Sequence, residues 1–177
     1  MTSACRVRTP PMAALVALAL AMALAACGGG GSSSSSTSSG PSHAQFVASA
    51  NAICATARTQ TAPLIAKIKA SGVSLLTGGA AALATPVTRL HAAAAAYLAK
   101  LRALAQPAAD QAKIGRLLRP LVQVIALIGA AARDLAKGQG PNAAALIQQA
   151  QPLAAQVGSA ARSLGASQCA LVLGPLA

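Results

Sequence analysis

The chain has little aromatic or acidic character. Its 177 residues include no tryptophan, one tyrosine (Tyr97), one phenylalanine (Phe46) and two acidic residues, Asp110 and Asp134. Each scarcity excludes a chemistry. General acid–base catalysis needs a positioned carboxylate or histidine, and the two aspartates form no carboxylate pair in sequence. Each precedes a lysine by three residues (Lys113 and Lys137), and each is expected to be a surface helix charge, Asp110 in a first turn where it favours the macrodipole. The histidines, His43 and His91, show no His-x-x-x-His or Glu-x-x-His spacing, so no metal site is expected. A Gly-x-Ser-x-Gly elbow is absent, and Gly78-Gly79 is not followed by Gly-Lys-Ser/Thr, which removes the hydrolase and phosphate-loop signatures. Without aromatics, base stacking is also lost, and nucleic acid is not an expected partner. Neither an enzyme nor a cofactor is expected.

What is present begins with an address. Arg6 and Arg8 precede an apolar run from Met12 to Ala26, the basic start and short core of a secretory signal peptide. The run is about fifteen residues, where a spanning helix needs about twenty. It closes on Leu24-Ala25-Ala26-Cys27, which resembles the bacterial lipobox. That resemblance implies cleavage before Cys27, a diacylglyceryl group on its thiol and acylation of the new amino group. Two acyl chains give stable anchoring where one is marginal. The expected location is the extracytoplasmic face of the cell membrane.

Residues 28–40, GGGGSSSSSTSSG, have nothing apolar to bury and are expected to form a flexible tether. Its thirteen residues have a root-mean-square span of roughly 20 Å. Three segments follow: a signal peptide over 1–26, a lipidated cysteine and linker over 27–41, and a folded domain over 42–177. All three methionines (Met1, Met12, Met22) leave with the signal, and Cys-x-x-Cys-His is absent, so haem and copper sites lose most of their parts. Arg6 and Arg8 leave too, which takes the net charge from +12 to +10. Of the four cysteines, Cys5 departs and Cys27 is consumed by lipid. Cys54 and Cys169 remain, in an oxidising compartment where disulfides persist, and are expected to pair.

The domain is rich in good helix formers and shows no convincing period-two alternation. The first helix is expected from Ser42, a plausible N-cap, to Ala70, with a stripe that includes Phe46, Ala50, Cys54, Ala57 and Ile65. The second is expected to start at Thr85-Pro86 and end near Gln106-Pro107. The third carries Ile114, Leu117, Leu121, Val124, Ile128 and Leu135 and stops at Gly138. The fourth runs from Gly140-Pro141 to Gly165. Pro63, Pro120 and Pro152 fall inside these stripes and are expected to kink them. The pattern predicts an all-α, up-down-up-down four-helix bundle. The first and fourth helices would be antiparallel neighbours, and the tail after Gly165 must fold back for Cys169 to reach Cys54.

Phe46-x-x-x-Ala50-Asn51-x-Ile53-Cys54 and Leu164-Gly165-x-x-x-Cys169 resemble the opening and closing motifs of small secreted helical lipoproteins of high-GC Gram-positive bacteria. The resemblance spans the mature domain. It implies fold and location and no particular chemistry.

The basic residues remain. Lys67, Lys69, Arg89, Lys100, Arg102, Lys113, Arg116, Arg119, Arg133 and Lys137 spread over three helices, and the fourth carries only Arg162. Anionic lipid or cell-wall polymer is the natural counter-charge for a membrane-tethered domain; a protein partner of unknown identity is the other expected target. The group Lys113, Arg116 and Arg119 is expected on the solvated side of the third helix and is the candidate contact. A second expectation is a carrier of a small apolar ligand, which needs an internal cavity of several hundred Å³ lined by Leu, Ile, Phe46 and Tyr97.

Overall fold

Four long helices follow from local punctuation and long apolar stripes, and a short fifth follows them. A computed structural model describes residues 40–70 and 79–172. The export segment, Cys27, the linker to residue 39, the segment 71–78 and residues 173–177 lie outside the described residues, so nothing structural is said of the expected lipid site.

Helix α1 spans His43–Ala70. Its start is a capping box: the Gln45 amide donates to Ser42 Oγ (3.3 Å), and the Ser42 amide donates to Gln45 Oε1 (2.9 Å), satisfying two end donors reciprocally. Phe46, Ala50, Cys54, Ala57, Thr61 and Ile65 make its buried stripe. Thr61 is the polar member, and its hydroxyl donates to the Arg58 carbonyl at 3.4 Å, which offsets its desolvation.

Helix α2 spans Ala84–Ala103 and grows out of a 3₁₀ turn, Ala80–Leu83. It therefore begins before the expected Thr85 cap, and Pro86 is buried inside its first turn. The preceding turn already supplies helical geometry, so no side-chain cap is needed. A second 3₁₀ turn, Ala108–Asp110, leads into α3, Gln111–Ala136. Helix α4 spans Gly140–Leu164 with Pro141 in its first turn, where a missing N–H costs nothing. All three internal prolines sit inside continuous helices, so each costs one backbone hydrogen bond without ending its helix.

Two helix ends use the same device. Gly138 (φ 73°) and Gly165 (φ 81°) adopt the left-handed conformation that only glycine reaches cheaply. Beyond α3, the Gln139 amide donates to Asp134 O and the Gly138 amide to Leu135 O; beyond α4, Ala166 donates to Ala161 O and Gly165 to Arg162 O. Both are Schellman closures.

Residues 64–67 of α1 share one groove with 82–89 of the 3₁₀ turn and the start of α2, and 52–60 share another with 96–100, so the two helices run antiparallel. Contact between α3 and α4 is the most extensive in the bundle. Buried Ala131, Ala132, Ala143, Ala150, Ala154, Ala161 and Gly158 let their backbones approach closely. Helix α3 supplies the largest fully buried side chains, Ile114, Leu117, Leu121, Ile128 and Leu135, each worth about 1.5–3 kcal/mol of burial. With its leading turn, α3 is long and apolar enough to cross a membrane by length and composition, and half of that window is buried inside the bundle.

The all-α fold and the disulfide match expectation; one neighbour relation does not. Helices α1 and α4 do not pack extensively along their lengths, and a fifth helix, α5 (Ser167–Val172), packs against both. The tail folds back onto the two. Among the described residues there is no strand.

Candidate functional site

The two sequence motifs meet in a clasp. Cys54 and Cys169 are joined, with Cα atoms 4.9 Å apart, inside the range a disulfide tolerates. Asn51 lies one turn earlier on α1. Its Oδ1 accepts the Gln168 amide at 2.9 Å, and its Nδ2 donates to the Gly165 carbonyl at 3.5 Å. One side chain thus caps the start of α5 and the end of α4. Cys169 Sγ lies 3.5 Å from the Ala50 carbonyl; a disulfide sulfur carries no proton, so this is a packing contact. Phe46, Ala50 and Leu164 are buried around it. Every function of these motif residues visible here is structural.

His43 and Asp110 overturn one expectation. Asp110 is not a surface charge: only 5% of it is accessible, and His43 Nδ1 donates to its Oδ2 at 2.7 Å. Lys113 Nζ lies 3.6 Å from Oδ1. The physical reason is topological. In an up-down bundle the start of α1 and the start of α3 share one end, so residues 67 positions apart become neighbours. The His43 hydrogen bond holds the Asp110 carboxyl below the usual carboxylate range; burial opposes this, and the His43 and Lys113 charges reinforce it. Asp134 is half-buried.

The pair orients an imidazole as a general base would be oriented, but among the described residues no hydroxyl or thiol is bonded to the other ring nitrogen. No third His, Cys, Asp or Glu joins them among the described residues. His91, the second histidine, is half-buried on α2 and lies against Gly129 of α3, where a Cβ would sit 2.7 Å from its Nε2. Its role here is packing.

Two open grooves line the α1–α2 seam. One of about 220 Å³ is bounded by Ile53, Thr56, Gln60, Tyr97 and Lys100; another of about 180 Å³ by Leu64, Lys67, Leu83, Thr85, Pro86 and Arg89. Burial pushes the Tyr97 phenol well above its ordinary range, so it stays neutral. Neither groove is an enclosed space of several hundred Å³, and Phe46 lines neither.

The cations are arranged uniformly. Lys113, Arg116 and Arg119 are exposed on α3, with Lys113 partly committed to Asp110. Arg58, Lys67, Lys69, Arg89, Lys100, Arg102, Arg133, Lys137 and Arg162 are exposed as well. Among the described residues the ion pairs are His43–Asp110 and Lys113–Asp110. The surface therefore presents twelve positive side chains, while one carboxylate is buried and the other half-covered. Comparison with protein-family models, with curated proteins and with solved structures gives no match for this chain.

Proposed function

We propose that the chain is a lipid-anchored, non-catalytic protein of the cell envelope, exported by its first 26 residues and tethered through Cys27. Its basic bundle engages an anionic surface, either membrane lipid or cell-wall polymer. One observation carries the reading: all twelve lysine and arginine side chains of the bundle are exposed, and neither aspartate is fully so. A surface of one sign is attracted to any opposite surface at about 1 kcal/mol per nearby Lys or Arg. It is also self-repelling, which an opposing surface relieves. The lipid would hold the domain within a tether length of the membrane, so weak individual contacts gain from effective concentration.

The test uses the domain from Ser42 onward, free of lipid. It should co-sediment with vesicles containing phosphatidylglycerol and stay in solution with pure phosphatidylcholine. Replacing Lys113, Arg116 and Arg119 with glutamine should weaken retention by about a hundredfold, from three contacts of roughly 1 kcal/mol each, with helicity unchanged. Equal retention on both vesicle types would contradict the reading.

A further inference from the structure

The geometry points to a discrete phosphate-ester site in the groove where the end of α1 meets the start of α2, held by Lys67 and Arg89 with Thr85 lining the same groove. This inference rests on the anionic-surface reading and sharpens it from diffuse charge to a built contact. Most cations of the bundle have a local explanation. Lys67, Lys69, Lys100, Arg102, Arg133 and Arg162 stand in the last turns of their helices, where the macrodipole favours positive charge. Lys113 is tied to Asp110. Arg58, Arg89, Arg116 and Arg119 have neither explanation, and of these four Arg89 is the one that lines a groove together with a second cation. It lies in the second turn of α2, near the end of the helix that disfavours a cation, and no acidic group pairs with it among the described residues.

Arg89 and Lys67 nonetheless line one groove of about 180 Å³. Two like charges around so small a space repel each other, and an anion between them converts that repulsion into two charge-assisted hydrogen bonds. The groove also has an apolar side, formed by Leu64, Leu83 and Pro86. At about 30 Å³ per water molecule, there is room for a tetrahedral oxyanion and a few waters. A planar guanidinium matches two phosphate oxygens, while an ammonium supplies a point charge. Thr85 adds a hydroxyl donor that makes no hydrogen bond within the described residues. An oxyanion on an organic chain fits this mixture better than a bare inorganic ion. Such an ester is available as a phospholipid headgroup or as a soluble or polymeric glycerol phosphate.

The experiment uses the mature lipoprotein, ¹⁵N-labelled, in phosphate-free dodecyl maltoside micelles at constant ionic strength. Glycerol phosphate is titrated while the Arg89 Nε–H and Thr85 amide resonances are followed. Both should shift saturably, with a midpoint of about 1–10 mM, the affinity of a few partly solvated contacts. Replacing Lys67 and Arg89 with Gln should weaken the midpoint by about tenfold. Replacing Arg58 and Arg133, exposed cations that line neither groove, removes the same charge and should leave it nearly unchanged. If micelles carrying phosphatidylglycerol already shift these resonances before titrant is added, the headgroup is the natural source; a response to glycerol phosphate alone identifies the soluble or polymeric ester. Non-saturating shifts spread over all the cations, or equal losses in the two double variants, overturn the site. In that case salt-sensitive retention on phosphatidylglycerol would keep the broader reading, and its absence would remove both.

Discussion

At Gly129 a hydrogen in place of a methyl group lets α3 accept the His91 ring of α2. A Cβ there would stand 2.7 Å from His91 Nε2 and 2.9 Å from Cδ2, inside van der Waals contact. Mid-helix Gly→Ala normally gains about 1 kcal/mol of helix propensity. Here the clash should reverse the sign. Denaturant unfolding of Gly129→Ala should show a loss of about 1–2 kcal/mol, typical of overpacking. The same substitution in a His91→Ala background should recover most of it, and additive effects would contradict the contact. Asp110 is the other residue with a measurable signature. Its folded pKa is depressed, so its contribution is fully present above the unfolded carboxyl range, near 3.9, and is lost as pH falls through the lower folded value. The melting-temperature gap between the wild type and Asp110→Asn should therefore be constant near neutrality and narrow on acidification below about pH 4. A gap independent of pH would contradict the His43 bond as its source. The sequence shows the Asp110–Lys113 spacing plainly and hides His43, whose proximity depends on which helix ends the topology brings together.

Among the elements, α5 depends most on partners distant in sequence. It has six residues, too short to hold in isolation, and is fixed by the Asn51 cap and the disulfide. Cross-linking across 115 residues contributes about 4–5 kcal/mol in the chain-entropy treatment. Cys54→Ser with Cys169→Ser should lower unfolding stability by about 2–5 kcal/mol. In hydrogen exchange, α5 amides should lose protection before those of α3 and α4. Unchanged α5 protection would show that Asn51 and apolar packing suffice. The four long helices were legible because Ser42, Pro141, Gly138 and Gly165 act locally, and because the α3 stripe repeats every three or four residues. Helix α5 was not: six residues carry no period, and its packing against α1 and α4 arises from tertiary contact. The start of α2 lies two residues before the position that Thr85-Pro86 predicts for a similar reason, since a 3₁₀ turn does the work expected of Thr85.

For the whole molecule, the proposed function makes one device of the unbalanced charge and the tether: in that reading the lipid supplies proximity and the cations supply attraction. Cys27→Ser should stop lipid labelling and leave unprocessed or mis-sorted precursor; a mature-sized band still fractionating with membranes would contradict lipidation at Cys27. The basic character was legible as composition, whereas its complete exposure required the fold. The most direct test is the salt dependence of the lipid-free domain's partition onto phosphatidylglycerol vesicles. The Debye length falls from about 10 Å at 0.1 M to about 3 Å at 1 M, so retention should fall steeply over that range and vanish at its upper end. Retention that holds or rises with salt would mean that apolar contact, and not the exposed cations, brings this bundle to the surface.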